Sequence, residues 1–309
     1  MSLEPPADLD VSRDEPLARH TYMRVGGPAE WFAEPADLDA LEALLEWAFQ
    51  AGLAVRVLGG GSNVVVADAG VRGLVVSLRR CAGGVRFDGT SVLAGGGVML
   101  PALARAAAEH DLGGLEFAIG IPGTVGGALQ SNAGIGDRRE IGPLVESIEV
   151  LEDGRRRHLD ASEIVFDYRS SSLRGSGAIA LEARLRLEPR PRAEVEAEMR
   201  RLLEARQASQ PTAERNAGSI FRNPPGDYAG RVIEAAGCKG LRIGGAEVST
   251  LHANFIVLDA TGTAEDVVRL MEAVQERVRS VLDVRLVPEV EWWGDGETPP
   301  PWRDGASGG

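Results

Sequence analysis

Apolar and polar positions along this chain change period repeatedly, and each change marks an element. In DLDALEALLEWAFQA, residues 37–51, apolar side chains recur every three to four positions. This predicts an amphipathic helix with Asp37 as N-cap and Gly52 as its stop. The same spacing predicts helices over 100–110, 193–207, 229–236 and 264–282, the last capped by Thr263. Short apolar or alternating runs at 54–58, 64–66, 74–78, 92–94, 145–151, 178–187, 254–258 and 284–293 predict strands, and the polar stretch 155–159 is predicted as the returning strand of a hairpin. Asp153-Gly154 predicts a tight hairpin turn between the 145–151 and 155–159 strands. Residues before about His20 read as a loose arm. Pro189-Arg190-Pro191 reads as a linker, and the Pro, Gly and Asp after Gly294 predict a disordered tail over 294–309. Helices and strands alternating around that linker indicate an α+β protein of at least two domains.

Glycine interrupts this pattern in places where a turn alone would not need it. Gly59-Gly60-Gly61-Ser62-Asn63 lies between two strands, and Gly120-Ile121-Pro122-Gly123-Thr124-Val125-Gly126-Gly127 precedes Asn132-Ala133-Gly134. Consecutive glycines let backbone N–H groups converge without Cβ clash, the arrangement that binds phosphate oxygens. No lysine follows in the Walker position, and no GxGxxG opens a helix, so neither a P-loop nor a Rossmann fold is expected. A tight turn remains the structural alternative for each segment.

Composition narrows the partners. The 309 residues carry a formal net charge of -13, which opposes nucleic acid and anionic membrane. Local arginines and backbone N–H groups can still take an anionic small molecule. Cys81 and Cys238 have no metal spacing and read as reduced thiols, and no metal site is expected. No apolar run is long enough to span a bilayer. A cytoplasmic protein, monomeric, is the expectation.

The densest chemistry is Ala217-Gly218-Ser219-Ile220-Phe221-Arg222-Asn223-Pro224, with a hydroxyl, a guanidinium and an amide within five residues. Taken in order, GGGSN, GIPGTVGG with NAG, Tyr168-Arg169-Ser170-Ser171, AGSIFRNP and Pro288-Glu289-Val290 resemble the UDP-N-acetylenolpyruvoylglucosamine reductase family of flavoproteins, from about His20 to Gly294. The 50 residues between Arg169 and Ser219 resemble the family's shorter subclass, which lacks a tyrosine-bearing loop over the substrate. Thr21 to Gly26-Gly27, with His20 and Tyr22, resembles the family's entry to the flavin domain.

This resemblance implies an FAD-binding domain of the vanillyl-alcohol-oxidase type, made of two subdomains, plus a C-terminal α+β substrate domain. By analogy the parts span 1–80, 85–188 and 192–290, and the last strand, near 284–293, returns to the first. It implies non-covalent FAD held by Gly59, Gly60, Gly61, Ser62, Asn63, Gly120, Pro122, Gly123, Thr124, Gly126, Gly127, Asn132, Ala133 and Gly134. NADPH is the implied co-substrate and a UDP-sugar enol ether the implied substrate. Ser219 is implied as the acid, with Arg169 and Glu289 polarising the substrate carboxylate. Tyr168, Arg222, Asn223, Lys239 and His252 are implied substrate contacts. Many family members have Lys where Arg222 stands, and arginine keeps the charge but changes the geometry. An FAD-dependent oxidase and a non-catalytic UDP-sugar-binding protein are the rival readings. The first predicts oxygen turnover, the second a colourless protein.

Overall fold

The structure is a computed structural model that describes residues 4–136 and 139–295. It divides into two compact units. The first comprises residues 4–13, 31–60 and 73–205, the second residues 14–30, 61–72 and 206–295. Three hydrophobic clusters account for the core. Two lie in the first unit, one around Trp31, Leu41, Leu44 and Leu74 and one around Leu103, Phe117, Ile148 and Leu185. The third, around Phe221, Val232, Leu270 and Val274, also takes in Met23 and Val65 and lies in the second unit.

Helix α1, Leu38–Gln50, begins where Asp37 accepts the Ala40 N–H at 2.9 Å. Its buried stripe of Leu41, Leu44, Trp47 and Ala48 is the one its spacing predicts. Helix α2, Leu100–Glu109, packs Leu103, Ala104 and Ala107 inward. A five-stranded sheet orders Arg155–Asp160, Val145–Glu152, Ile179–Arg186, Ser91–Gly95 and Val85–Asp88, all antiparallel. Its first hairpin turns at Asp153-Gly154, both with positive φ (49° and 70°), as a two-residue type I′ loop requires. A second sheet orders Val11–Pro16, Pro28–Ala33, Val71–Ser77 and Val55–Leu58.

Three expectations need correction. The supposed N-terminal arm contains the strand Val11–Pro16. Its run of polar residues, Ser12 to Glu15, fits the edge position it takes in its sheet, which needs little apolar content. The GIPGTVGG segment is not all loop: Val125–Ser131 forms a helix, α3, capped by Thr124. Two glycines in its first turn hide it from propensity. The predicted strand over 284–293 shrinks to Glu291–Trp293, which pairs in parallel with Val64–Val66. Beyond residue 295 the expected tail lies outside the described residues.

Helix α4, Arg192–Ser209, follows the Pro-Arg-Pro linker, where Arg190 pairs with the buried Glu116 at 2.8 Å. Helix α5, Ala229–Ala235, and helix α6, Ala264–Leu282, complete the second unit. At the start of α6, Thr263 and Asp266 form a capping box, and the Asp68 carboxylate accepts the N–H groups of Ala264 and Glu265, each at 3.0 Å. The donors of the first turn are thereby satisfied.

Candidate active site

In the first unit the two glycine segments meet backbone to backbone. A Cβ on Gly60 would stand 3.0 Å from the Gly123 Cα and 3.1 Å from the Pro122 carbonyl, and one on Gly59 would stand 2.7 Å from the Thr124 Oγ1. Glycine is required here for the approach of one loop to the other. Among the described residues, no backbone acceptor takes the N–H of Gly59, Gly60 or Thr124. Gly60 and Thr124 are buried, and buried backbone donors are rarely left unpaired. The loops therefore suit an anionic group such as a pyrophosphate.

The other glycines of the segment have different surroundings. Gly126 donates to the Gly96 carbonyl at 2.8 Å, and its Cβ would stand 3.0 Å from that oxygen. Packing on the end of the Ser91–Gly95 strand accounts for it. Gly127 is exposed, with only the Thr124 hydroxyl nearby, at 3.6 Å from an added Cβ. Gly120 closes the short 3-10 turn Glu116–Gly120.

Asn132 lies in the left-handed region, φ 43°, and is buried. Its carboxamide donates to the Glu140 carboxylate at 2.8 Å and to the Asp167 carbonyl at 3.1 Å, and accepts the Gly142 N–H at 3.0 Å. It thus organises protein around the next candidate, Arg169. Tyr168 and Arg169 form the two-residue turn between Phe166–Asp167 and Ser170–Ser171. Arg169 has φ 55°, a conformation that costs a non-glycine residue about 1 kcal/mol or more. Its guanidinium donates to the Gly134 carbonyl at 3.0 Å and stacks 5.3 Å from the centre of the Tyr168 ring. Ala133 accepts the Ile141 N–H at 3.0 Å.

In the second unit Ser219 and Glu289 are brought together by backbone pairing. Phe221 and Pro288 form an antiparallel bridge. The Glu289 N–H donates to the Ile220 carbonyl and the Arg222 N–H to the Val287 carbonyl, each at 2.8 Å. Asn63 reaches the same place: its side chain donates to the Glu289 carbonyl at 3.1 Å, and its carbonyl accepts the Glu291 N–H at 2.9 Å. Ser62 beside it is half-buried, and Gly61 accepts the Tyr22 N–H at 2.9 Å.

Asn216 shapes the approach to Ser219. It donates to the carbonyls of Pro211 and Glu214 and accepts the Gly218 N–H at 2.9 Å. The Arg222 Nε is buried and has no partner among the described residues. A buried guanidinium atom without an acceptor is costly, which fits a site that an anion completes.

The remaining candidates lie in the same unit. Asn223 accepts the Ala229 N–H at 3.0 Å at the start of α5. Lys239 pairs with Glu234 at 2.9 Å. His252 accepts the Asn254 N–H through Nδ1 at 3.2 Å, which leaves its proton on Nε2. Burial, then the nearby Lys239 charge, pushes the His252 ring below its ordinary value. The spacing of the sequence missed Asn254, which is 4 % exposed and bonds both backbone groups of Phe221.

Comparison with known proteins decides the family. Residues 210–293 match the family model for the C-terminal domain of UDP-N-acetylenolpyruvoylglucosamine reductase. Residues 29–159 match that of an FAD binding domain. A UDP-N-acetylenolpyruvoylglucosamine reductase 2 of Symbiobacterium thermophilum is 48% identical over 293 residues, 94% of each chain. The chain belongs to the UDP-N-acetylenolpyruvoylglucosamine reductase family. Another reductase of that name, from Moorella thermoacetica, is 46% identical over 93% of this chain and 95% of its own. The crystal structure of the Thermus caldophilus reductase superposes with a TM-score of 0.78 at 35% identity, covering 93% of this chain and 99% of that one.

The family's C-terminal domain match contains Ser219, Arg222, His252 and Glu289, whereas Arg169 lies in neither matched segment. The FAD-domain match contains both glycine segments and Asn132. Among the described residues, no helix is long and apolar enough to cross a membrane.

Proposed function

We propose that this chain is an FAD-dependent, NADPH-using reductase that converts UDP-N-acetylglucosamine enolpyruvate to UDP-N-acetylmuramate for peptidoglycan. Family membership supports the reaction, and the pairing of the Ser219 and Glu289 segments supports the assignment of roles. Gly59, Gly60, Pro122, Gly123 and Thr124 hold the cofactor's pyrophosphate. FAD bound there would supply the hydride chemistry, with NADPH as the source, for the enolpyruvyl double bond. Arg169 grips the substrate carboxylate, where negative charge collects as hydride arrives. Glu289 shares in polarising that group. The Ser219 hydroxyl gives its proton to the neighbouring substrate carbon, completing the addition of hydrogen across the bond. Arg222 and the His252 Nε2–H engage the nucleotide sugar.

The enzyme works as a cytoplasmic monomer organised in three parts, 1–80, 85–188 and 192–290. The test is direct. The purified protein should be yellow, bleach with NADPH and regain colour when the enolpyruvyl UDP-sugar is added anaerobically. Recolouring only with oxygen would favour an oxidase instead.

A further inference from the structure

A single residue fixes the chain that follows Ser219. The Ile220 N–H, which belongs to the peptide leaving Ser219, donates to the Asn254 carbonyl at 2.9 Å. The next two peptides are held by the Asn254 carboxamide: its Oδ1 accepts the Phe221 N–H at 3.0 Å and its Nδ2 donates to the Phe221 carbonyl at 2.8 Å. Peptides are planar, so three consecutive planes after Ser219 are set by one side chain and its own backbone. On the opposite edge, the Glu289 N–H holds the Ile220 carbonyl. On the N-terminal side, Gly218 at φ 75° is pinned through its N–H by Asn216. Ser219 sits between two fixed stretches, and no protein group among the described residues holds its hydroxyl.

We propose that Asn254 is a positioning residue for proton delivery by Ser219, acting through the backbone of Ile220 and Phe221. The proposal rests on the reading of Ser219 as the acid. An amide is needed because Phe221 presents a donor and an acceptor together in a buried place, 2 % exposed. An aspartate can take the N–H but sets a second oxygen against the Phe221 carbonyl. An alanine leaves both groups unpaired. Either change lets the serine drift from its line to the substrate carbon. Displacement of a reacting group by about an ångström costs on the order of 100-fold.

The test uses the FAD-loaded protein and compares wild type, Asn254→Asp, Asn254→Ala, Ser219→Ala and the double variant Ser219→Ala/Asn254→Asp. Flavin reduction by NADPH and reoxidation by the enolpyruvyl UDP-sugar are followed separately by flavin absorbance. Hydrogen exchange of the 217–223 segment is measured by mass spectrometry. Asn254→Asp should lower the ratio of reoxidation to reduction rate by on the order of 10- to 100-fold. It should also speed exchange in the segment. Adding it to Ser219→Ala should slow reoxidation no further, since groups acting as one unit are not additive. Asn254→Ala guards against an effect peculiar to the aspartate charge and should lower the same ratio.

Faster exchange with an unchanged ratio in both Asn254 variants overturns the proposal. So does an additive loss in the double variant, or an equal loss in both half-reactions. If Ser219→Ala itself reoxidises at the wild-type rate, it is the reading of Ser219 that fails, and the positioning proposal falls with it.

Discussion

The Asn63 carboxamide donates to the Glu289 carbonyl at 3.1 Å across 226 positions of sequence. The glycine-rich loop therefore ends by holding the segment that carries a candidate catalytic carboxylate. Asn63 looked like a cofactor contact from its place in GGGSN, and its side chain is committed at least in part to Glu289.

Replacing Asn63 with Ala removes that bond and leaves a backbone acceptor to find water. The apoprotein should lose about 1 kcal/mol of stability, the net worth of one such bond, while FAD affinity changes little. Urea unfolding of the apoprotein and flavin titration measure the two effects. Weakened flavin binding with unchanged apoprotein stability would return Asn63 to the cofactor site.

Gly60 and Gly126 separate two kinds of glycine. Gly60→Leu forces a side chain between loops whose backbones already stand at contact, 3.0 Å from the Gly123 Cα. FAD occupancy, read from the ratio of visible to ultraviolet absorbance, should fall below about half. Gly127→Ala, whose Cβ meets only the Thr124 hydroxyl at an ordinary 3.6 Å, should keep its flavin. Gly126→Ala should act first on stability, through the Gly96 carbonyl. Full occupancy and unchanged melting for Gly60→Leu would contradict the close approach of the two loops.

Much of this arrangement was readable in advance where local signals agree. Helix α6 spans Ala264–Leu282 as its spacing and the Thr263 cap indicate, and the Asp153-Gly154 turn follows from the need for positive φ at both positions. Ser219 and Arg222 stand out by chemical type, whereas Glu289 enters only through the family resemblance of Pro288-Glu289-Val290. Other features depend on distant partners. Helix α3 begins Val-Gly-Gly, against propensity, and Gly126 packs on Gly96. Asn254 acts on Phe221 across 33 residues, and Asp68 caps α6 across 196. No local pattern announces such pairings, because a polar residue in a short strand or turn has many ordinary uses.

His252 carries a pH prediction. Its folded-state pKa is lowered by burial and, to a lesser extent, by Lys239, with a backbone hydrogen bond and Glu234 opposing. The folded state thus favours the neutral ring. The resulting stability is present above the unfolded value of about 6.5 and lost as pH falls through the lower folded value. The stability of the apoprotein should decline between pH 7 and 5 more steeply in wild type than in His252→Gln. Identical slopes, or an NMR titration of the ring at or above the ordinary value, would contradict a neutral His252 that accepts the Asn254 N–H.

The central claim is that Ser219 supplies the proton after hydride has left the cofactor. Stopped-flow absorbance of Ser219→Ala tests it most directly, with each half-reaction observed alone. Reduction of the flavin by NADPH should proceed near the wild-type rate. Reoxidation by the enolpyruvyl UDP-sugar should slow by at least ~100-fold, the low end of general-acid contributions. Reoxidation of Ser219→Ala at the wild-type rate with the natural substrate would contradict the account and move the proton to another donor.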